Sequence, residues 1–176
     1  MTKEIIGAQS SDLILIIDRT FDAPRELVFE AFTDPQHLIK WWGPKGCGIL
    51  TCETDPRPGG VWSISMRTPK MLPQFAHRYP VETSGDGQSI VEKQRGVYQE
   101  VRKPERLTFT YAFEDGTGRP SHQMVVTLTF ADQGGRTRLT LHQAVFETVA
   151  ARDDHERGWT EELGSLAEYL ARSCSG

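Results

Sequence analysis

The sequence predicts an α+β fold in which a curved antiparallel sheet of about six to seven strands wraps a long C-terminal helix. Three features of the 176-residue chain point there. Apolar and polar residues alternate at period two through most of the stretch between residues 47 and 142. From about Thr148 to Arg172 the period becomes helical. Between the first strand-like run and the alternating region lie two proline-marked helix starts.

Taken in order, residues 1–11 are mostly small and polar and read as a flexible lead-in to a single domain over 12–173. LILIIDRTF (13–21) is an apolar, β-branched run of strand length. Ala23-Pro24 opens a short helix, because proline's missing N–H does no harm in a first turn, and Leu27, Val28, Ala31 and Phe32 recur at helical spacing. Asp34-Pro35 opens a second, with aspartate as N-cap, which Gly43-Pro44 ends after Trp41-Trp42.

Strands follow over 47–54 and after the Arg57-Pro58-Gly59-Gly60 turn, where Trp62, Ile64 and Met66 share one face. Residues 90–102 form another strand, and Leu107, Phe109 and Tyr111 alternate with Thr108, Thr110 and Ala112. Met124, Val126, Leu128 and Phe130 then lie opposite Val125, Thr127 and Thr129, and Gly134-Gly135 turns into a last strand carrying Leu139 and Leu141. This is a meander with one apolar face. In the terminal helix His155, Trp159, Leu163, Leu166, Ala167 and Leu170 fall on one stripe, and Asp153, Asp154, Glu161, Glu162 and Glu168 lie mostly off it. A helix of about 24 residues is about 36 Å long, enough to cross a whole sheet.

Composition excludes several classes of function. With 38% hydrophobic and 25% charged residues the chain is an ordinary globular one. A domain this size buries roughly 70% of the surface of its unfolded chain, enough for a large core or a core with a cavity. Twenty basic against 24 acidic residues leave a net charge of -4 and no concentrated basic patch, which argues against nucleic-acid binding. No run reaches the roughly 18 apolar residues of a membrane span. The N-terminus lacks the apolar core of a signal peptide, so the expected location is cytoplasmic. Cys47, Cys52 and Cys174 are an odd number with no metal-site spacing, and read as reduced thiols.

Catalytic signatures are sparse. The five histidines, His37, His77, His122, His142 and His155, form no metal-ligand pattern, so no metal site is expected, and nothing asks for a cofactor. His142 shares parity with Arg138 and Thr140 and faces outward. His155 lies one turn before Trp159 on the packed face, as a candidate general acid or base or as a structural histidine. Glu100 shares parity with Gly96 and Tyr98, whereas Val97 and Val101 claim the opposite face. Buried, it would be an anchor or catalytic carboxylate; exposed, a solvated charge. Gly43-Pro44-Lys45-Gly46 and Gly116-Thr117-Gly118 are turns without the features of a phosphate loop.

Several segments, in order, resemble the START-like (SRPBCC) superfamily of helix-grip proteins, in particular its bacterial branch related to the C-terminal domain of the activator of Hsp90 ATPase. They are FDAPRELVFEAFTDPQHLIKWWGP (21–44), CETDPRPGGVW (52–62), RGVYQEV (95–101), PERLTFTYAF (104–113), VTLTF (126–130), GGRTRLTL (134–141) and RDDHERGW (152–159). One departure stands out: relatives have a short hairpin where residues 68–89 form a long, proline-containing insertion, read either as a lid or as a bland surface loop. The resemblance implies a helix-grip fold with a pocket between sheet and helix for a small hydrophobic or aromatic ligand. Trp62, Ile64, Met66, Phe109, Tyr111, Met124, Val126, Trp159 and Leu163 would lie nearest it, although the same side chains would also fill a solid core. Trp41-Trp42 reads as a structural clamp more than as a gate.

Three functions emerge as expectations. The first is binding of that ligand without turnover. The second is a co-chaperone-like partner of an Hsp90-type ATPase, although the resemblance covers only the activator's C-terminal domain. The third is an enzyme of the polyketide cyclase or hydrolase kind, which would need at least two perturbed polar groups in the pocket. Monomer and homodimer are equally compatible with the sequence.

Overall fold

The computed structural model describes residues 10–69, 82–83, 87–114 and 117–174. A single 3-10 turn (Ser10–Leu13) leads into β1 (Leu15–Phe21), followed by α1 (Arg25–Ala31) and α2 (Pro35–Leu38). Then come β2 (Gly48–Thr54), β3 (Val61–Pro69), the two-residue β4 (Glu82–Thr83), β5 (Ser89–Arg102), β6 (Arg106–Phe113), β7 (Met124–Asp132) and β8 (Thr137–Ala144). Helix α3 (Val149–Ser173) closes the chain. The lead-in over 1–9 and residues 70–81 and 84–86 of the insertion lie outside the described residues. Of the insertion's ends, Thr68 and Pro69 extend β3 against Ile90 and Ser89, and Glu82–Thr83 pair with β5.

The strands form one antiparallel sheet in the order β1-β8-β7-β6-β5-β3-β2, with β4 paired to β5 off that path. The first strand therefore lies beside the last, at one edge, and β2 forms the other edge. Alternation decides the faces: β7 reads Met124 in, Val125 out, Val126 in, and β3 buries Trp62, Ile64, Met66 and Thr68. Helix α3 lays its stripe of His155, Trp159, Leu163, Leu166 and Leu170 into the same core. Thr148 caps it, its hydroxyl accepting from Ala151 N at 3.1 Å. Asp34 caps α2 in the same manner, accepting from Gln36 N at 2.8 Å.

Two local features of β5 shape the inner face of the sheet. Gly96, opposite Trp62 in the register, leaves the space through which the Trp62 indole donates to Thr110 O at 3.0 Å. A Cβ there would sit 1.7 Å from that carbonyl oxygen and 2.4 Å from the indole nitrogen. Between Tyr98 and Glu100 the β5–β6 register shifts. This bulge resolves the conflict of parity along β5: Tyr98 is buried, Val101 packs against the core, and Glu100 is carried outward.

One expectation is corrected here. Glu162, placed with the solvated residues of α3, is buried at 9% exposure. It stands three residues after Trp159 and four before Leu166, so helical geometry puts it on the packed stripe despite its charge.

Candidate functional site

Each residue expected near the pocket is buried, at 5% exposure or less, and all belong to one core cluster. Much of that cluster is filled by rings. Trp62 meets Phe109 edge to face with centroids 5.5 Å apart, and Trp42 meets Trp159 at the same separation. Trp62, Ile64 and Phe109 surround only a residual void of about 10 Å³, together with Phe32, Leu38 and Tyr98. Met66, Met124, Val126 and Leu163 belong to the packed core around it.

Tyr111 and Trp159 line a different hollow, between β5, β6 and α3, whose inner part holds about 40 Å³. Its walls differ in character. Tyr111, Phe113 and Trp159 supply rings, Pro44 and Gly158 supply small apolar surface, and Glu92, Gln94, His155 and Glu162 supply polar groups. These polar side chains are all buried, between 3% and 9% exposed. Burying such groups costs stability unless each is hydrogen-bonded, and here the bonds are specific.

Two tryptophans set the polar wall. The Trp42 indole N–H donates to Gln94 Oε1 at 2.9 Å, and Gln94 Nε2 donates to Glu92 Oε1 at 2.9 Å. Likewise the Trp159 N–H donates to Gln143 Oε1 at 2.7 Å, and Gln143 Nε2 faces His155 Nδ1 at 3.2 Å. An indole N–H only donates, so each glutamine must turn its oxygen to the tryptophan and its NH2 onward. His155 Nδ1 therefore accepts, and the neutral ring carries its proton on Nε2. The ring itself is held edge-on among Tyr111, Phe113 and Phe146, with centroids 5.7, 5.8 and 5.1 Å away.

Glu162 completes the wall. Burial pushes its carboxyl up to about 8, and the charge of Glu92 pushes the same way against the Gly43 backbone N–H that it accepts. Gly43 belongs to the turn after the tryptophan pair, and its φ of 85° is one that glycine adopts without strain. Outside the hollow the same turn is tied to α3 by Lys45, whose N–H donates to Glu161 Oε1 at 3.0 Å and whose Nζ pairs with Glu168 at 3.1 Å.

The Trp41-Trp42 pair divides its tasks. Trp41 donates to Ala31 O at 3.0 Å and clamps α1 to the core, whereas Trp42 orients Gln94. Glu100 does not reach the hollow: it pairs with Arg106 at 2.9 Å and with Arg102 at 3.7 Å on the outer side of the bulge. Cys47 and Cys52 are free, and burial raises both thiols, Cys52 to about 11, so neither is a thiolate nucleophile at neutral pH. Among the described residues no group of three or more His, Cys, Asp or Glu is placed to hold a metal ion.

Four residues of the polar system are missed by hydrophobic patterning: Glu92, Gln94, Gln143 and Glu162. For three of them the available signal is parity. Glu92 and Gln94 alternate in step with Ile90 and Tyr98, and Gln143 with Leu139 and Leu141.

The family model for activator of Hsp90 ATPase homolog 1-like proteins matches residues 22–171. The chain belongs to that family. Solved structures agree with the fold. The AHSA1 protein from Silicibacter pomeroyi superposes with a TM-score of 0.72 at 26% identity, covering 91% of this chain and 99% of that one. A protein from Chromobacterium violaceum gives 0.68 at 28% identity, over 90% and 96%. One from Nitrosomonas europaea gives 0.67 at 25%, over 94% and 99%. No curated protein matches the chain. The chain shares the fold of these structures: it is a START-like helix-grip domain, with its sheet closed over the C-terminal helix. No helix among the described residues is long and apolar enough to cross a membrane.

Proposed function

We propose that this domain binds a small, largely apolar or aromatic molecule in the hollow between β5, β6 and α3, without turning it over. Trp159 and Tyr111 form the aromatic wall, and Trp62, Ile64, Met66, Phe109, Met124, Val126 and Leu163 form the rigid support behind it. The observation that carries the reading is the polar wall. Five buried polar side chains, Glu92, Gln94, Gln143, His155 and Glu162, occupy positions where apolar residues would pack at lower cost. Two indoles are committed to aiming them. Ligand sites have this make-up, apolar walls with a few placed polar groups.

Gly158 offers the experiment. It lines the hollow from within α3, and a Cβ there meets nothing within 4 Å. Gly158→Leu fills the space while improving helix propensity, so the variant stays folded. Thermal unfolding of both proteins against lipids, aromatic polyketides and flavonoids reads the result: compounds that stabilise the wild type lose their effect in the variant. A compound that stabilises both equally binds elsewhere.

The family's description supports a second reading, a protein partner of an Hsp90-type ATPase. Pull-down that survives Gly158→Leu would favour it. The enzymatic reading rests on His155 and Glu162, which share the hollow. Its mark is turnover that is lost in His155→Ala.

A further inference from the structure

We propose that the Gly43-Pro44-Lys45-Gly46 turn is a hinged flap over the hollow between β5, β6 and α3, and that Lys45 fastens it to α3. This rests on the ligand-binding reading above and names how a molecule reaches that site.

Position is the first ground. Among the described residues the lining comes from β5, β6 and α3, with one exception, Pro44. Pro44 is buried, and the next two residues of the turn are exposed. The turn thus stands between the hollow and solvent. Glycines at its two ends, Gly43 with φ 85° and Gly46 with φ 93°, set Pro44 and Lys45 between freely turning joints. Beyond the joints the chain is anchored. Trp42 is held in the core by its bond to Gln94, and Cys47 Sγ lies 3.4 Å from Thr68 Oγ1 on β3. A bond from Cys47 N to Pro44 O, 3.1 Å long, closes the turn on itself.

The fastening is the second ground. Three carboxylates of α3 hold the turn: Glu162 accepts from Gly43 N, Glu161 from Lys45 N at 3.0 Å, and Glu168 pairs with Lys45 Nζ at 3.1 Å. Glu161 and Glu168 stand about two helical turns apart, so Lys45 grips α3 along its length, by its main chain at one point and its side chain at the other. The side chains of the Lys45–Glu168 pair are 65% and 57% exposed, where water and salt weaken an ion pair. Contacts of this kind open locally while a core of packed rings stays closed.

The four indole N–H groups report that opening without any ligand. Trp159 lines the hollow, and the Trp42 N–H ends on Gln94, which lines it too. Trp41 and Trp62 donate to the main-chain carbonyls of Ala31 and Thr110, outside the described lining.

The experiment is hydrogen–deuterium exchange of the indoles, followed by NMR in the whole protein. Exchange at Trp42 and Trp159 is expected to rise about two- to fivefold in Lys45→Ala, the scale of one exposed ion pair, while Trp41 and Trp62 keep their wild-type rates. Glu161→Ala, which strips the acceptor from the Lys45 N–H, serves as the second variant and gives the same pattern. Salt at about 1 M reproduces it in the wild type and adds little in Lys45→Ala. Equal acceleration at all four indoles marks general loosening and overturns the flap. An unchanged rate at Trp42 or at Trp159 overturns it as well. Neither result touches the ligand-binding reading, which the Gly158→Leu comparison decides separately.

Discussion

The Trp159 indole N–H donates to Gln143 Oε1 at 2.7 Å, and both residues are buried, at 3% and 0% exposure. That bond dictates the orientation of the Gln143 amide, and through it the state of His155, whose Nδ1 lies 3.2 Å from Gln143 Nε2. The ring is thereby held with its proton on Nε2. Nitrogen-15 resonances of His155 at neutral pH are expected to show Nδ1 bare and Nε2 protonated.

Gln143→Leu tests the same relay energetically. It strips the partner from a buried indole N–H and from a buried imidazole nitrogen at once. With about 1–3 kcal/mol for each of the two groups, denaturant unfolding should show a loss of roughly 2–6 kcal/mol. A variant as stable as the wild type would mean that water or repacking satisfies both.

Glu162 makes stability depend on pH in a definite direction. Its carboxyl titrates near 8 in the folded chain against an ordinary 4.5. Between those values the folded state holds a proton that the unfolded state has released, so its stabilising effect is complete below 4.5 and is lost as pH rises through 8. The full effect amounts to several kcal/mol, at about 1.4 kcal/mol per pH unit. Urea unfolding at pH 6 and pH 9 should show the decline in the wild type, and Glu162→Gln should remove most of it.

Gly96→Ala addresses the support behind the rings. The new methyl would sit 1.7 Å from Thr110 O, a main-chain atom in the sheet that cannot swing aside. A loss of roughly 3 kcal/mol is expected, with weakened β5–β6 pairing. Glu100→Gln is the contrasting case. Its pairs with Arg106 and Arg102 lie on the surface, so stability should change by less than about 1 kcal/mol, and ligand binding not at all.

The architecture is legible in the sequence because period and turn residues speak for themselves. Val126 and Leu128 in β7 alternate with Val125 and Thr127, and Trp159, Leu163, Leu166 and Leu170 trace one face of α3. The candidate site is harder to read, for two reasons. Hydrophobic patterning treats Glu92, Gln94 and Glu162 as surface residues, although their positions in strand and helix turn them inward. The β5 bulge breaks the parity count between Tyr98 and Glu100, so alternation alone does not say which face Glu100 takes. The family resemblance also implies that Trp62 and Phe109 line the pocket, yet their neighbourhood is closed to about 10 Å³, and the larger hollow lies at Tyr111 and Trp159.

The most direct test of the ligand-binding account is thermal unfolding of wild type and Gly158→Leu, each with and without the compound library. Leucine in place of a helical glycine gains about 1 kcal/mol, so the free variant should melt a few degrees higher. At about 100 times its dissociation constant a ligand adds about 2.7 kcal/mol to the wild type, a rise of roughly 5–10 °C. The account predicts that this rise vanishes in the variant. A rise of equal size in both proteins would contradict it and place the ligand outside the hollow at Trp159.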